Sequence, residues 1–427
     1  MIRYSILPSA AAILIGATVA ACGSSQSDEA GTNVIDVARA IANPTEIKVS
    51  DLGSKLSYVP LETTDSSLVP QKWYLVPTDK QLLVVNYNPW GTTYQNCLSF
   101  GKNGKFLGAI GYVGEDTEAY STPFPLVSTD EKALYFSRWS TTKYLQKYSI
   151  DGEYLGKAFP SIPPLCQANS TQIMDSTIMS PYGVFQDGQL YMTVYSGDFN
   201  GHVDTLPVNP LPPAGIKYYS YQSATIDDVT GVLRNSIASY REVNELSSEK
   251  KHHFSADRTI PKFWRTGNEY HYREPFFDTI HSVTPNSFEV AYIFDCGEKA
   301  LKPADINTKG INPDNLWVTE MCETPDYVVF GASKGWLGSN THSPFIGYFN
   351  KKTGKTFASP VEEGFVDDLT GFMPFQPILA TPNGELIGVL TIDDINDWMD
   401  KHPDAKLPVE LENLAEDANP VCVILSK

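Results

Sequence analysis

The sequence predicts an all-β fold: a six-bladed β-propeller of four-stranded antiparallel blades, with short helical insertions. Three observations point there. A short apolar strand, a turn bearing Asp or Asn and a second apolar strand recur six times. In several copies a second hairpin follows with Asn-Gly or Asp-Gly at its turn, the strongest short hairpin signal. The last copy is one strand short, and an unassigned strand stands ahead of the first copy.

In chain order, residues 1–21 come first. Arg3 is their only charge, and an apolar run from Ile6 ends in Ala20-Ala21 before Cys22. A short basic start, a short apolar stretch and small residues make a secretory signal rather than a spanning helix. Cys22 directly after the small residues resembles the bacterial lipobox, which implies cleavage before Cys22 and diacylglyceryl attachment to its sulfur. Acyl chains hold a protein on a membrane at ~0.8 kcal/mol per buried methylene. The expected location is the outer membrane, facing the periplasm or the cell surface. Residues 22–33 are small and polar and read as a flexible tether. Asp28 and Glu29 loosely resemble the acidic export tags of surface lipoproteins in Bacteroidetes. The propeller is expected over 34–427.

Lys55-Leu-Ser-Tyr-Val-Pro-Leu61 is the unassigned strand. The repeat turns then fall at Asp79, Asp130, Asp187, Asn268, Asp326 and Asn383, with gaps of 51, 57, 81, 58 and 57 residues. Asp and Asn suit such turns because they tolerate left-handed backbone and bond locally. The second hairpins are Leu98 to Leu107 around Asn103-Gly104 and Lys147 to Leu155 around Asp151-Gly152, with a looser copy at Tyr348 to Lys355. Two hairpins make four strands, one blade. Excess length lies in 196–260 and 392–419. The second insertion reads as a helix capped by Asp393 or Asp394, with Ile395, Trp398 and Met399 at i, i+3, i+4 and His402-Pro403 at its end. Leu411 and Leu414 suggest another short helix. Pro420 to Leu425 gives the last blade its third strand, and 55–61 is expected to complete it and close the ring, leaving fewer exposed edges.

Composition narrows the function classes. The chain carries 32 Lys+Arg against 50 Asp+Glu, a formal charge of −18. Nucleic-acid binding needs a basic face, so no nucleic-acid partner is expected. A hydrophobic share of 42% and an aromatic share of 12% argue against disorder. Of six cysteines, Cys97, Cys296 and Cys422 sit in apolar strand-like runs, which favours buried thiols over a disulfide framework.

Leu56-Ser-Tyr-Val-Pro-Leu-Glu-Thr-Thr64, Tyr272-Arg-Glu-Pro-Phe-Phe-Asp-Thr-Ile280 and Glu416-Asp-Ala-Asn-Pro-Val-Cys-Val-Ile424 carry a family likeness. The chain resembles the six-bladed β-propeller lipoproteins of Bacteroidetes, a TolB/NHL-like propeller group, over roughly 34–427. The resemblance implies an envelope location and a propeller, and no known reaction. One departure is that Gly114 to Tyr120 stands where the family often has a Gly-Pro-Gly-Glu-Tyr-like loop.

Catalytic motifs are poor. Gly331-Ala-Ser333-Lys-Gly335 matches G-x-S-x-G, but a nucleophile elbow needs a helix next, and Trp336-Leu-Gly-Ser-Asn-Thr reads as loop. Ser140-Thr-Thr-Lys143 matches S-x-x-K but reads as a turn. Asp393 to Asp400 is acidic but lacks the mid-loop Gly and terminal Glu of an EF-hand. His252-His253 read as a surface doublet. His271 faces either the channel or the packed core. Arg273 is either a channel cation or a salt-bridged blade residue. Fifty acidic residues make carboxylate pairs inevitable, so pairs alone do not identify a glycosidase. No G-x-G-x-x-G appears, and no cofactor or metal is expected.

Aromatic placement is the most informative functional signal. Loops between second and third strands emerge on one face, and they hold Trp90, Trp139, Phe199 and Trp336 beside small polar residues. Such rings suit sugar faces or protein hot spots, the alternative being that each covers a neighbouring blade. Between-blade loops on the same face add Asp116, Glu118, Tyr120, Asp367 and Asp368, an acidic rim that disfavours polyanions. The sequence therefore points to a noncatalytic binding module of the cell envelope, for a glycan or glycopeptide. A scaffold that docks another envelope protein is the alternative, and a channel-based lyase or hydrolase a further one.

Overall fold

The computed structural model describes residues 33–427 apart from 71–72, 87–94, 139–140, 159–170, 176, 187–188, 199–202, 207–217, 226–234, 243–261, 274–276, 285–286, 302–313, 336–342 and 363. At 86, 141–143, 180–242, 262 and 288 the backbone alone is described.

The chain enters through β1 (Val34–Asp36), α1 (Val37–Ala42) and β2 (Lys55–Pro60). The first blade follows as β3 (Trp73–Pro77), β4 (Gln81–Asn86), β5 (Cys97–Gly101) and β6 (Phe106–Ile110). The second is β7 (Leu126–Val127), β8 (Ala133–Arg138), β9 (Thr141–Ser149) and β10 (Tyr154–Ala158). The third is β11 (Gln172–Met174), β12 (Thr177–Gln186), β13 (Gln189–Asp198) and β14 (Val203–Leu206). A separate hairpin, β15 (Tyr218–Thr225) and β16 (Asn235–Glu242), occupies part of the first insertion. Next come β17 (Lys262–Thr266), β18 (Glu269–Arg273), β19 (Thr279–Thr284) and β20 (Ser287–Asp295). The fourth blade is β21 (Leu316–Glu323), β22 (Tyr327–Lys334), β23 (Ser343–Asn350) and β24 (Lys355–Pro360). The closing blade takes β25 (Leu379–Ala380), β26 (Leu386–Leu390) and, after α2 (Ile392–Lys401), β27 (Val421–Ser426).

The described residues therefore form five four-stranded blades in a propeller arrangement, where the sequence predicts six. The fourth of the six repeats forms a five-stranded sheet, because β1 adds in parallel to the outer edge of β20, with Val34 opposite Ile293 and Asp36 opposite Asp295. An outer strand left open would expose a row of unpaired amides and carbonyls, and β1 covers it. The closing blade has the order β2-β27-β26-β25, with Lys55 opposite Ser426 and Pro60 opposite Val421, so the two ends of the chain complete one sheet as the sequence suggests.

Residues 34–60 thus act as a strap along three outer edges. After β1, Asp36 N–H donates to Thr356 Oγ1 at 3.1 Å and Thr45 N–H to Ala358 O at 2.9 Å, both on the fourth blade. Val49 N–H then donates to Val366 O at 2.9 Å before β2 joins the closing blade. Ile35 and Val37 of this strap are fully buried against Phe294, Phe330 and Phe349.

The core lies between neighbouring sheets. Side chains alternate across a strand. Leu82 and Val84 of β4 pack with Ile387, Cys422 and Ile424 of the closing blade. Leu83 and Val85 pack with Leu134, Phe136 and Tyr148 of the second blade. That is why the run Leu82 to Val85 is apolar throughout: both faces are buried, at about 1.5–3 kcal/mol per large aliphatic side chain.

Strand alternation gives the assembly two ends. Turns after first and third strands share a turn end, and loops after second and fourth strands share a loop end. Asn103-Gly104 makes the expected hairpin, with Gly104 at φ 79°, where a Cβ would lie 2.0 Å from Pro60 O. At the turn end Asn383 N–H donates to Asp79 Oδ1 at 2.9 Å, and Asp326 pairs with Lys427. Asp187 lies outside the described residues. At the loop end α2 forms over the expected residues, but its cap is Thr391. The Thr391 hydroxyl accepts from Asp394 N–H at 3.1 Å, and the Asp394 carboxylate accepts from Thr391 N–H at 2.7 Å. The reciprocal bonds need the hydroxyl three residues ahead of the acid, so Asp394 is the third helical residue and not the cap. Around Leu411 a single 3₁₀ turn, Val409–Leu411, replaces the expected second helix.

Candidate functional site

Inner strands converge on a cavity of about 180 Å³, lined among others by Tyr74, Phe124, Gln172, Trp264, Arg265 and Tyr270. Its turn end is closed by charges. Arg265 Nη2 lies 2.9 Å from Glu131 Oε1 and 3.9 Å from Asp79 Oδ2, and Arg265 also donates to Thr129 O. Asp79 N–H donates to Glu131 Oε2 at 2.9 Å. Glu131 sits at φ 53°, and its carboxyl is pushed up by burial and by the charge of Asp79. The network ties the first and second blades to the five-stranded sheet, and each of its charges is engaged.

A second polar cluster lies between the five-stranded sheet and the fourth blade. Glu323 is buried, and its carboxylate accepts from Lys351 Nζ at 2.5 Å and from Trp264 Nε1 at 2.6 Å. His271 Nδ1 is 2.7 Å from the same carboxylate. Burial pushes the Glu323 carboxyl up, but the hydrogen bond and charge of His271 and the charge of Lys351 hold it below its ordinary value. His271 is 1% exposed, so it is a packed residue of this cluster. Register explains the meeting: Trp264 lies directly opposite His271 in the β17–β18 hairpin.

Arg273 is neither a channel cation nor salt-bridged among the described residues. It is buried, donates from Nε to Phe277 O at 3.1 Å and from Nη2 to Val318 O at 3.0 Å, and lies 5.2 Å from the Phe294 ring centre. Burial lowers it to about 10. It staples the five-stranded sheet to β21. Tyr120 is not a rim plate either. It is fully buried, stacks on Phe136 at 4.2 Å, accepts from Cys97 N–H at 2.9 Å and donates to Ile110 O at 2.8 Å. Ser333 is buried within β22 and donates to Gly335 O at 3.3 Å, a paired strand position and not an elbow. Cys22, Trp90, Trp139, Phe199, Trp336 and His252-His253 lie outside the described residues.

The acidic rim is partly structural. Asp116 accepts from Tyr112 Oη at 2.7 Å and from Glu118 N–H at 3.0 Å, which holds its carboxyl low. Glu118 supplies its carbonyl to Tyr148 Oη. Asp367 is buried and accepts from Tyr58 Oη at 3.2 Å and Thr370 N–H at 2.8 Å. Asp368 accepts from Ser50 Oγ at 2.6 Å, tying the strap to the 361–378 loop and holding the carboxyl low. Among the described residues no group of three or more His, Cys, Asp and Glu is placed to hold a metal ion.

At the loop end a groove of about 440 Å³ opens between the closing blade, the loop at 362–376 and α2. Tyr58, Met373, Phe375 and Val423 give it an apolar floor, and Glu362, Asp397 and Lys401 line its mouth. Trp398 forms one wall, its ring stacked on His402 at 3.7 Å. Sequence reasoning places Trp398 on the apolar face of the helix but does not find the groove, because Glu362 and Tyr58 come from distant segments. The signal available is the shared helix face of Asp394, Asp397, Trp398 and Lys401.

The model for a domain of unknown function, DUF4934, matches residues 32–426. Among solved structures the chain is similar to BF0058, a Bacteroides fragilis protein described as exported. The TM-score is 0.59 at 15% identity, over 90% of this chain and 98% of that one. It is also similar to a member of the duf4221 family from Bacteroides vulgatus, with a TM-score of 0.46 at 9% identity, over 88% and 97% of the two chains. No curated protein matches the chain. The likeness to BF0058 extends to fold, and the family match spans nearly every described residue: the chain belongs to the DUF4934 family, here an all-β propeller of mostly four-stranded antiparallel blades.

Proposed function

We propose that the protein is a noncatalytic binding module of the cell envelope, anchored through lipid on Cys22 and presenting its loop end to a glycan or glycopeptide. The observation that carries this reading is the groove beside α2. Its volume of about 440 Å³ falls in the usual range for small-ligand sites, and it joins an apolar floor to a polar mouth. The titratable clusters elsewhere support the same reading, because their charges are spent on structure: Glu131 pairs with Arg265 of the five-stranded sheet, and Glu323 pairs with Lys351 of its own blade and with His271 of the five-stranded sheet. In this reading the five-stranded sheet counts as a blade, which makes the ring sixfold, and Trp90, Trp139 and Trp336 extend the binding surface at the loop end; Phe199 drops out of that set, because β13 before it is the third strand of its blade and not the second. BF0058 is described as exported, in keeping with an outer-membrane address.

The test is a thermal-shift screen of the full-length chain in detergent against neutral glycans, anionic glycans, muropeptides and divalent cations. A ligand of the native state raises the melting temperature by mass action. A shift with a glycan or muropeptide is expected. A shift with divalent cations alone, or with no ligand, overturns the reading.

A further inference from the structure

The groove beside α2 holds charges that the fold does not consume. Asp394, Asp397, Trp398 and Lys401 fall at i, i+3, i+4 and i+7, so one helix face brings them to the same opening. Glu362 lines the same groove from the loop. Glu362 and Asp397 are exposed and have no hydrogen-bond or ion-pair partner among the described residues. Asp394 spends Oδ2 on Thr391. Three carboxylates and one ammonium, Lys401, therefore line the same groove as the apolar floor. Asp116, Asp367 and Asp368 differ, since each is bonded into its own loop.

We propose that this groove binds a protonated amine carried on an apolar or ring-shaped body. The ammonium meets Glu362, Asp394 and Asp397, and the body lies on Tyr58, Phe375 and Trp398. Charge complementarity selects the ligand: a chain of formal charge −18 draws cations, and aromatic walls favour a cation further. Lys401, at the far end of α2, rejects a second positive charge there. This inference rests on the reading of the groove as the binding site and narrows its ligand.

Calorimetric titration of the full-length chain in detergent with glucosamine, with N-acetylglucosamine and with cyclohexylamine, a single ammonium on an apolar ring, tests it. Glucosamine keeps the ring and adds the charge; N-acetylglucosamine keeps the ring alone. Glucosamine is expected to bind at least threefold more tightly than its acetylated form. The pair Glu362→Gln and Asp397→Asn should weaken both amines roughly threefold to tenfold, the worth of two exposed charge contacts, with an unchanged melting temperature. Trp398→Ala should weaken the ring ligands. Equal binding of the two sugars, failure of both amines to bind, or indifference of the amines to the double substitution overturns the inference. If a neutral glycan still binds in any of those cases, the binding-module reading stands without it.

Discussion

Replacing Glu323 by Gln isolates one buried charge. The carboxylate is 0% exposed, and three donors converge on it: Lys351, His271 and Trp264. An amide keeps the shape but turns one acceptor into a donor, facing either the Lys351 ammonium or the His271 and Trp264 pair. Lys351, 13% exposed, keeps Thr324 O at 2.7 Å and the Tyr292 ring at 5.4 Å, which offsets part of the loss. Removing one partner of a buried pair costs about 3–5 kcal/mol, so ~3 kcal/mol is expected here. At ~2.1 cal/mol/K per residue, a fold of this length loses ~1.2 °C per kcal/mol, giving a fall of ~4 °C. Thermal melts and urea midpoints at pH 7 measure it, and Lys351→Met alone and with Glu323→Gln completes a double-mutant cycle. The two changes together should cost less than their sum. The folded carboxyl is held low, so its contribution is present above the unfolded value of ~4.3 and is lost as pH falls through the folded one. The gap between wild type and variant should hold above about pH 5 and shrink below about pH 4. A variant within ~0.5 kcal/mol of wild type, additive single effects, or a gap that widens on acidification refutes the reasoning.

Other expectations follow from the same contacts. Arg273→Ala leaves Phe277 O and Val318 O without their donor and should cost about 2–3 kcal/mol in urea denaturation, while Arg273→Lys recovers only part. Ile35→Ala should cost about 2–4 kcal/mol by the same assay, because this strap side chain is 0% exposed among Phe294, Phe330 and Phe349. Tyr120→Phe keeps the stacked ring but strips Cys97 N–H and Ile110 O of their shared hydroxyl; about 1–3 kcal/mol should be lost in thermal melts. Cys97, Cys296 and Cys422 should resist an aromatic disulfide reagent at pH 8 until denaturant is added, since burial pushes all three thiols up, the last two to about 12.

Repetition makes much of this fold legible. Turns at Asp79, Asp130, Asn268, Asp326 and Asn383 recur because each closes the same hairpin, and a missing strand in the last copy points back to 55–60. β1 escapes notice because three residues, Val34–Asp36, carry no period. The candidate site is less legible. Tyr120 sits among Gly, Asp, Glu and Thr, so it reads as a rim aromatic, yet its loop folds the ring inward onto Phe136. Glu323 ends an apolar strand and reads as a turn acid, because its partners come from sequence positions 264, 271 and 351. Contacts made across sheets leave no local pattern to read.

The strap also sets how the molecule carries a mechanical load. A pull on residue 33 falls first on β1, which holds β20 through three residue pairs, and then on α1. Only when these yield does tension reach β2, which holds β27 through six pairs. The early segment therefore works as a fuse: it can tear loose and lengthen the leash while the ring stays shut. Stretching single molecules from the N-terminus should show a small first rupture, well separated from the force that opens the propeller.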